Sequence, residues 1–319
     1  MRNKVIFLLL VVVGLGAYAG LRVGLNLGSQ HLHEPLSEVQ ALLPDLPHKP
    51  RVALVLGGGG ARGFAHIGVL EVFEQEGIPV DLIVGCSAGS IVGVLYGTHS
   101  SVQEAYQASL SLKRRDMIRP SIFSAIKGLW NISAPIKGYF FKQFLERKLP
   151  AKDFSELRVP LVAIATDAIT GECVPIGKGD IVSAVQASCS FPPVFSPVHI
   201  DGRTLIDGCV SNPIPIDIAR QLGADCVFVV EVAALLPSKP PSNIYEITTR
   251  ALHISYLELS KKCGKEADCL IVPNLGSVSV FADDCQELLY QRGKEAARQA
   301  LPQIKEVLRQ KKIPLVGAA

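Results

Sequence analysis

Runs of consecutive apolar residues punctuate this chain. Between them, apolar positions recur at the three- and four-residue spacing of a helix face. The first run, Val52 to Leu56, reads as a buried strand and opens onto a row of glycines. A helical pattern follows from about Phe64 to Glu76 and is ended by Gly77-Ile78-Pro79. A second short strand, Asp81 to Val84, leads into Gly85-Cys86-Ser87-Ala88-Gly89, after which an apolar helix runs to about Tyr96. Further strands are expected at Leu161–Thr166, Thr204–Ile206, Cys226–Val232 and Cys269–Val272. Long helices are expected near Ile244–Cys263 and Leu288–Leu308. Strands that are apolar throughout are buried on both faces, and their alternation with helices is the pattern of a parallel sheet. The predicted fold class is therefore α/β: a three-layer α/β/α sandwich around a mostly parallel central sheet.

The N-terminus follows another pattern. Met1-Arg2-Asn3-Lys4 is basic, and Val5 to Leu21 carries no charge. This is the profile of a signal peptide or membrane anchor over residues 1–21, with Ala17-Tyr18-Ala19 matching a signal-peptidase site. Either reading predicts a membrane-associated chain, or one exported to the cell envelope. Residues 22–50, with Pro35, Pro44, Pro47 and Pro50, read as a linker, and residues 51–319 as the folded domain.

Composition narrows the function. The 319 residues suffice for one large α/β domain, and a formal net charge of only +3 argues against a nucleic-acid partner. The eight cysteines form no C-x-x-C pair and no zinc-type spacing with histidine. Most stand in apolar runs, which predicts buried free thiols. Charge is uneven, however. Lys113 to Lys152 holds ten Lys or Arg and two acids, together with Phe123, Trp130, Tyr139, Phe140, Phe141 and Phe144. Such a basic, aromatic stretch suits a membrane surface, with Trp130 and Phe140-Phe141 at the interface. It equally suits a helical cap with its aromatics in the core.

The candidate chemistry starts at Ser87. A serine hydroxyl is a weak nucleophile until it is aimed and a base takes its proton. In Gly85-x-Ser87-x-Gly89, between a strand and a helix, a sharp turn exposes the oxygen, and Gly85 and Gly89 leave room for the neighbouring backbone. Otherwise Ser87 is an ordinary helix N-cap. The loop Gly57-Gly58-Gly59-Gly60-Ala61-Arg62-Gly63 can converge bare N–H groups from Gly58, Gly59 and Gly60 on an oxyanion. Arg62 could add charge there, or pack outward and bind a phosphate head group. Gly58-x-Gly60-x-x-Gly63 also matches a dinucleotide fingerprint, which would make the chain a nucleotide-binding protein. That fingerprint wants an acid at the end of the second strand, whereas Asp81 stands at its start. Asp207-Gly208 follows the apolar turn Thr204-Leu205-Ile206; taken alone it reads as a turn aspartate. Among the histidines, His253 lies in a predicted helix and reads as a satisfied helical residue, while His66, just past the glycine loop, could point toward the site but reads rather as a capping or packing residue.

Together these residues resemble the patatin-like phospholipase family, and within it bacterial proteins similar to the catalytic domain of neuropathy target esterase. The resemblance runs from Arg51 to Val232 and more loosely beyond. It rests on the glycine loop with Arg62, on Gly85-Cys86-Ser87-Ala88-Gly89, on the run Ala187 to Pro197, and on Asp207-Gly208-Cys209 followed by Asn212-Pro213 and Gly223-Ala224-Asp225. Cys209 departs from the Gly or Ala usual after Asp-Gly. The resemblance implies a patatin-like fold and a lipid substrate. It also implies catalysis by a Ser87–Asp207 dyad without histidine, passing through an acyl-enzyme, with no metal and no cofactor. It recasts Asp207 from turn residue to base. Three functions stay open on sequence: a lipid acyl hydrolase, a non-catalytic lipid-binding module on the same fold, and a nucleotide-binding protein.

Overall fold

The computed structural model describes residues 43–316 except 45, 47 and 113–137. Expectations for residues 1–21, for most of the linker, and for Phe123 and Trp130 lie outside the described residues.

Eight strands form one sheet: β1 (Val52–Leu56), β2 (Leu82–Cys86), β3 (Leu161–Asp167), β4 (Cys173–Ile176), β5 (Val198–Ile200), β6 (Arg203–Asp207), β7 (Cys226–Val230) and β8 (Cys269–Ile271). The pairs β1–β2, β1–β7, β2–β3 and β7–β8 are parallel; β3–β4, β3–β6 and β5–β6 are antiparallel. Alternate side chains of β1 enter different cores. Val52, Leu54 and Leu56 pack with α1 (Phe64–Gln75), α2 (Ala88–Thr98), α3 (Val102–Ser109), α4 (Gly138–Lys148), α5 (Ile181–Ser188) and, late in the chain, α8 (Gln286–Gln310). Ala53 and Val55 pack with α6 (Ile216–Gln221) and α7 (Ile244–Cys263) on the other face. The sandwich has three layers, which is why its central strands are apolar on both sides.

Most elements fall where the apolar pattern predicts them. β1 and α7 match to the residue, and β2 extends two residues beyond Val84 because its ladder with β3 continues to Cys86. β7 stops at Val230, short of the expected Val232, whose carbonyl turns away to a side-chain partner. The strands β4 and β5, four and three residues long and with Pro175 inside β4, are too short to be read from sequence.

Two observations settle how β3 delivers the site. Ala163 and Ile164 pair with both β2 and β4, so those strands lie on opposite edges of β3. Ala165 and Thr166 pair with both β4 and β6, so β6 shares β2's edge. β2 thus fills the lower part of that edge, turns off into α2 after Cys86, and β6 enters the vacated upper part from the opposite direction. Cys86, level with Ile164, and Asp207, level with Ala165, become neighbours along one edge although 121 residues separate them in sequence.

Candidate active site

Ser87 sits at the turn between β2 and α2 with φ 51° and ψ −121°, a left-handed conformation that side chains rarely adopt. The turn is that tight because α2 lies almost on β1: a Cβ on Gly89 would strike the Leu56 carbonyl oxygen and come within 2.7 Å of its carbon. The Ser87 N–H donates to Ser188 Oγ at 2.9 Å, and the Ser87 carbonyl accepts from the Ser90 N–H at 2.9 Å and Ser90 Oγ at 2.6 Å. The strained residue is fixed on both sides by its neighbours.

The Ser87 hydroxyl donates to Asp207 Oδ2 at 2.8 Å. Asp207 ends β6, is 1% exposed, and takes a second hydrogen bond on Oδ1 from the Cys209 N–H at 2.9 Å. Thr166 Oγ1 donates to its backbone carbonyl. Burial pushes the Asp207 carboxyl up to about 6, against the opposing effect of the donors from Cys209 and Ser87. The carboxylate is still ionised near neutral pH, yet is a stronger base than a solvated aspartate.

The glycine loop leaves β1 beside this pair. A Cβ on Gly58 would lie 3.2 Å from Ser87 Cβ and collide with Cys209 Sγ. The Gly57 N–H prolongs the sheet by donating to Val230, and the Ala61 N–H donates to Val280. The N–H groups of Gly58, Gly59 and Gly60 donate to no group among the described residues. All three glycines line one cavity with Ser87 and Asp207.

Arg62 corrects an expectation. Its guanidinium does not pack outward to meet a head group but is drawn into the protein. Its N–H donates to Gly59, and its guanidinium, 3% exposed, donates to the carbonyls of Val232, Ala233, Gly276 and Val278. Four of its five N–H groups are thereby spent on tying two remote loops to the glycine turn.

His253 and His66 are each spent on a backbone carbonyl. His253 bonds the Ala234 carbonyl at 2.7 Å, and His66, fully buried, bonds the Gly57 carbonyl at 2.8 Å. Burial holds the His66 imidazole down at about 4, so it is neutral at pH 7. Asp81 accepts the N–H groups of Arg51 and Val52 at the start of β1, which removes it from the nucleotide-binding role. Phe141 is buried and packs on Phe195 with ring centroids 5.0 Å apart. The described end of the basic stretch thus puts this aromatic into the core rather than at an interface. Cys86 Sγ and Cys209 Sγ lie 3.4 Å apart, and all eight cysteines are free thiols.

Three further residues border the site. Ser188 and Ala88 fall inside motifs already noted but had no role read for them, and Tyr256 lacks a local motif; Ala88 opens α2 with an N–H that starts a helix and so has no partner within it. The cavity beside Ser87 holds about 1170 Å³ and is walled mainly by apolar side chains, among them Ile67, Ile91, Leu95, Val194 and Phe195. Among the described residues, Cys86, Asp207 and Cys209 form the one group of potential metal-ligating atoms, all within 4.8 Å of one another, and Asp207 is already committed to Ser87.

The profile of the Patatin-like phospholipase family matches residues 54–220, just over half the chain. Patatin-like phospholipase domain-containing protein 6 of Mus musculus is 36% identical over 192 residues, covering 57% of this chain and 14% of the relative. An uncharacterized NTE family protein of Mycobacterium tuberculosis is 32% identical over 194 residues, covering 57% of this chain and 49% of the relative. The chain therefore spans at most about half the length of these relatives. Among solved structures, VipD from Legionella pneumophila aligns at TM-score 0.43 and 14% identity, over 81% of this chain and 67% of that one. The type III effector protein ExoU aligns at TM-score 0.38 and 15% identity, over 84% of this chain and 54% of that one. Since the family profile spans the glycine loop, the serine turn and the Asp207 segment, the chain belongs to the patatin-like phospholipase family.

Proposed function

We propose that the protein is a serine acyl hydrolase that cleaves fatty-acyl ester bonds of phospholipids or lysophospholipids. The observation that carries this reading is the 2.8 Å hydrogen bond from the Ser87 hydroxyl to a buried Asp207 oxygen, beside three undonated glycine N–H groups. In the first step Ser87 Oγ attacks the ester carbonyl while Asp207 takes its proton. Negative charge gathers on the carbonyl oxygen, where the N–H groups of Gly58, Gly59 and Gly60 receive it. Asp207 then returns the proton to the departing alcohol, leaving an acyl-serine. A water molecule, deprotonated by the same carboxylate, then attacks the acyl carbonyl, and Asp207 returns that proton to Ser87 Oγ as the fatty acid leaves. The apolar cavity supports an acyl chain as the group held during these steps.

Membrane association, by way of the apolar N-terminal stretch and the basic segment, extends this proposal and rests on sequence alone. Among the described residues no helix is long and apolar enough to cross a membrane. Partition of the full chain with the membrane fraction, lost when residues 1–21 are removed, is the expected result. A fluorophosphonate probe tests the chemistry. Ser87 should become labelled, the adduct should be found by mass on its peptide, and Ser87→Ala should take none. An unlabelled wild type would instead point to a lipid-binding module with an idle serine.

A further inference from the structure

The glycine loop raises a physical question. Three consecutive bare N–H groups can serve an oxyanion only if their peptide planes are held, and glycine is the residue least able to hold its own plane. In a trans peptide, the C=O of one residue and the N–H of the next point in opposite directions. Fixing a carbonyl therefore aims the following N–H.

Each carbonyl in question has a partner. Gly57 C=O accepts from His66 Nε2 at 2.8 Å, Gly58 C=O from the Tyr256 hydroxyl at 2.9 Å, and Gly59 C=O from the Arg62 N–H at 3.2 Å. The N–H groups that follow belong to Gly58, Gly59 and Gly60, the three that remain undonated. The two side-chain partners come from different layers. His66 lies on α1, one turn past the loop. Tyr256 lies on α7, 198 residues from Gly58 and outside the stretch matched by the family profile. Both are buried, and the Tyr256 hydroxyl shares its single proton with Glu231 Oε1 at 2.8 Å, which also accepts the Ala233 N–H.

We propose that His66 and Tyr256 are positioning residues for the oxyanion cradle: by holding the carbonyls of Gly57 and Gly58, they aim the N–H groups of Gly58 and Gly59 into the cavity shared with Ser87. His66 does not line that cavity, and although Tyr256 reaches its wall, the Tyr256 hydroxyl is spent on Gly58 and Glu231. Their contribution is that the cradle is formed before the substrate arrives, so no reorganisation accompanies charge development. The proposal rests on Ser87 being the nucleophile.

The test compares wild type with Tyr256→Phe, which deletes only the hydroxyl, and with a pair at His66. Glutamine can place an amide donor where Nε2 stands, and leucine cannot. Three quantities are read on each: the fluorophosphonate labelling rate at Ser87, the inhibition constant of an alkyl trifluoromethyl ketone, and kcat and KM on a short-chain ester. Tyr256→Phe and His66→Leu should lower kcat and the labelling rate by about 10- to 100-fold, less than the roughly 10²–10³ lost when a donor is deleted outright. Ketone binding should weaken in parallel and KM should hold, as for an interaction made in the transition state. His66→Gln should recover most of the loss. Should either variant fail to fold, the other carries the comparison. A labelled wild type whose Tyr256→Phe and His66→Leu variants react at the same rate overturns the clamp alone. Equal loss in His66→Gln and His66→Leu overturns the His66 half and makes that residue packing only. An unlabelled wild type overturns the nucleophile reading, and the clamp with it.

Discussion

At the scale of single residues, Asp207 is the group whose environment has the most measurable consequences. Its carboxyl is raised to about 6 by burial, and the base is competent only when ionised. Ester hydrolysis should therefore climb with pH through about 6 along a single-proton curve and level off above it. A midpoint near the ordinary value of 3.8 would show a solvated carboxylate instead. The same shift acts on stability. A folded-state value above the unfolded one means that the folded protein holds the proton more tightly. The associated stability is complete below about 3.8 and is lost as pH rises through about 6, at a cost of about 3 kcal/mol. Asp207→Asn removes that cost and can keep both hydrogen bonds. It should melt above wild type at pH 8, with the gap shrinking toward pH 4, while kcat/KM falls by about 10²–10⁴. The strand-to-helix turn at Ser87 was legible from its glycine spacing. Asp207 read by itself as a turn residue and came forward only through the family resemblance; what sets it beside the Ser87 hydroxyl is the strand register that places it next to Cys86.

At the scale of elements, the glycine loop and the serine turn touch across a gap with no room for a side chain. Gly58→Ala would drive a methyl group into Cys209 Sγ and against Ser87 Cβ. It should cost about 1–3 kcal/mol and most of the activity. Cys209→Ala in the same chain should return part of the melting temperature, since it removes the harder of the two collisions. Additive losses in the double variant would mean that the clash is not where the geometry puts it. Arg62 is a fastener of elements. Arg62→Ala would strand four carbonyls and should lower stability by about 3–5 kcal/mol, read from denaturant midpoints. Sequence could place the strands because their residues are uniformly apolar. It could not see that Arg62 would be drawn inward, because its partners are carbonyls of distant loops and carbonyls leave no trace in residue type. Tyr256 was hidden for the same reason, and β4 because its edge pairing needs no distinctive side chains.

At the scale of the whole molecule, the site is a seam between three distant segments, opened onto an apolar cavity walled by helices of both layers. Ile91 stands one helical turn beyond Ser87 on α2 and lines that cavity. Ile91→Trp should narrow it near the nucleophile, lowering kcat/KM for long-chain esters about tenfold more than for butyrate esters. An equal loss on both would place the acyl chain elsewhere. The fold class was legible because apolar strands alternating with helices have few ways to pack. The cavity was not, since its walls come from elements far apart in sequence. The most direct measurement is lipid hydrolysis by the wild type beside Ser87→Ala and Asp207→Ala, with products identified by mass. Free fatty acid and the deacylated lipid are expected from the wild type and neither from the two variants. Fatty acid released at the wild-type rate by either variant would contradict it.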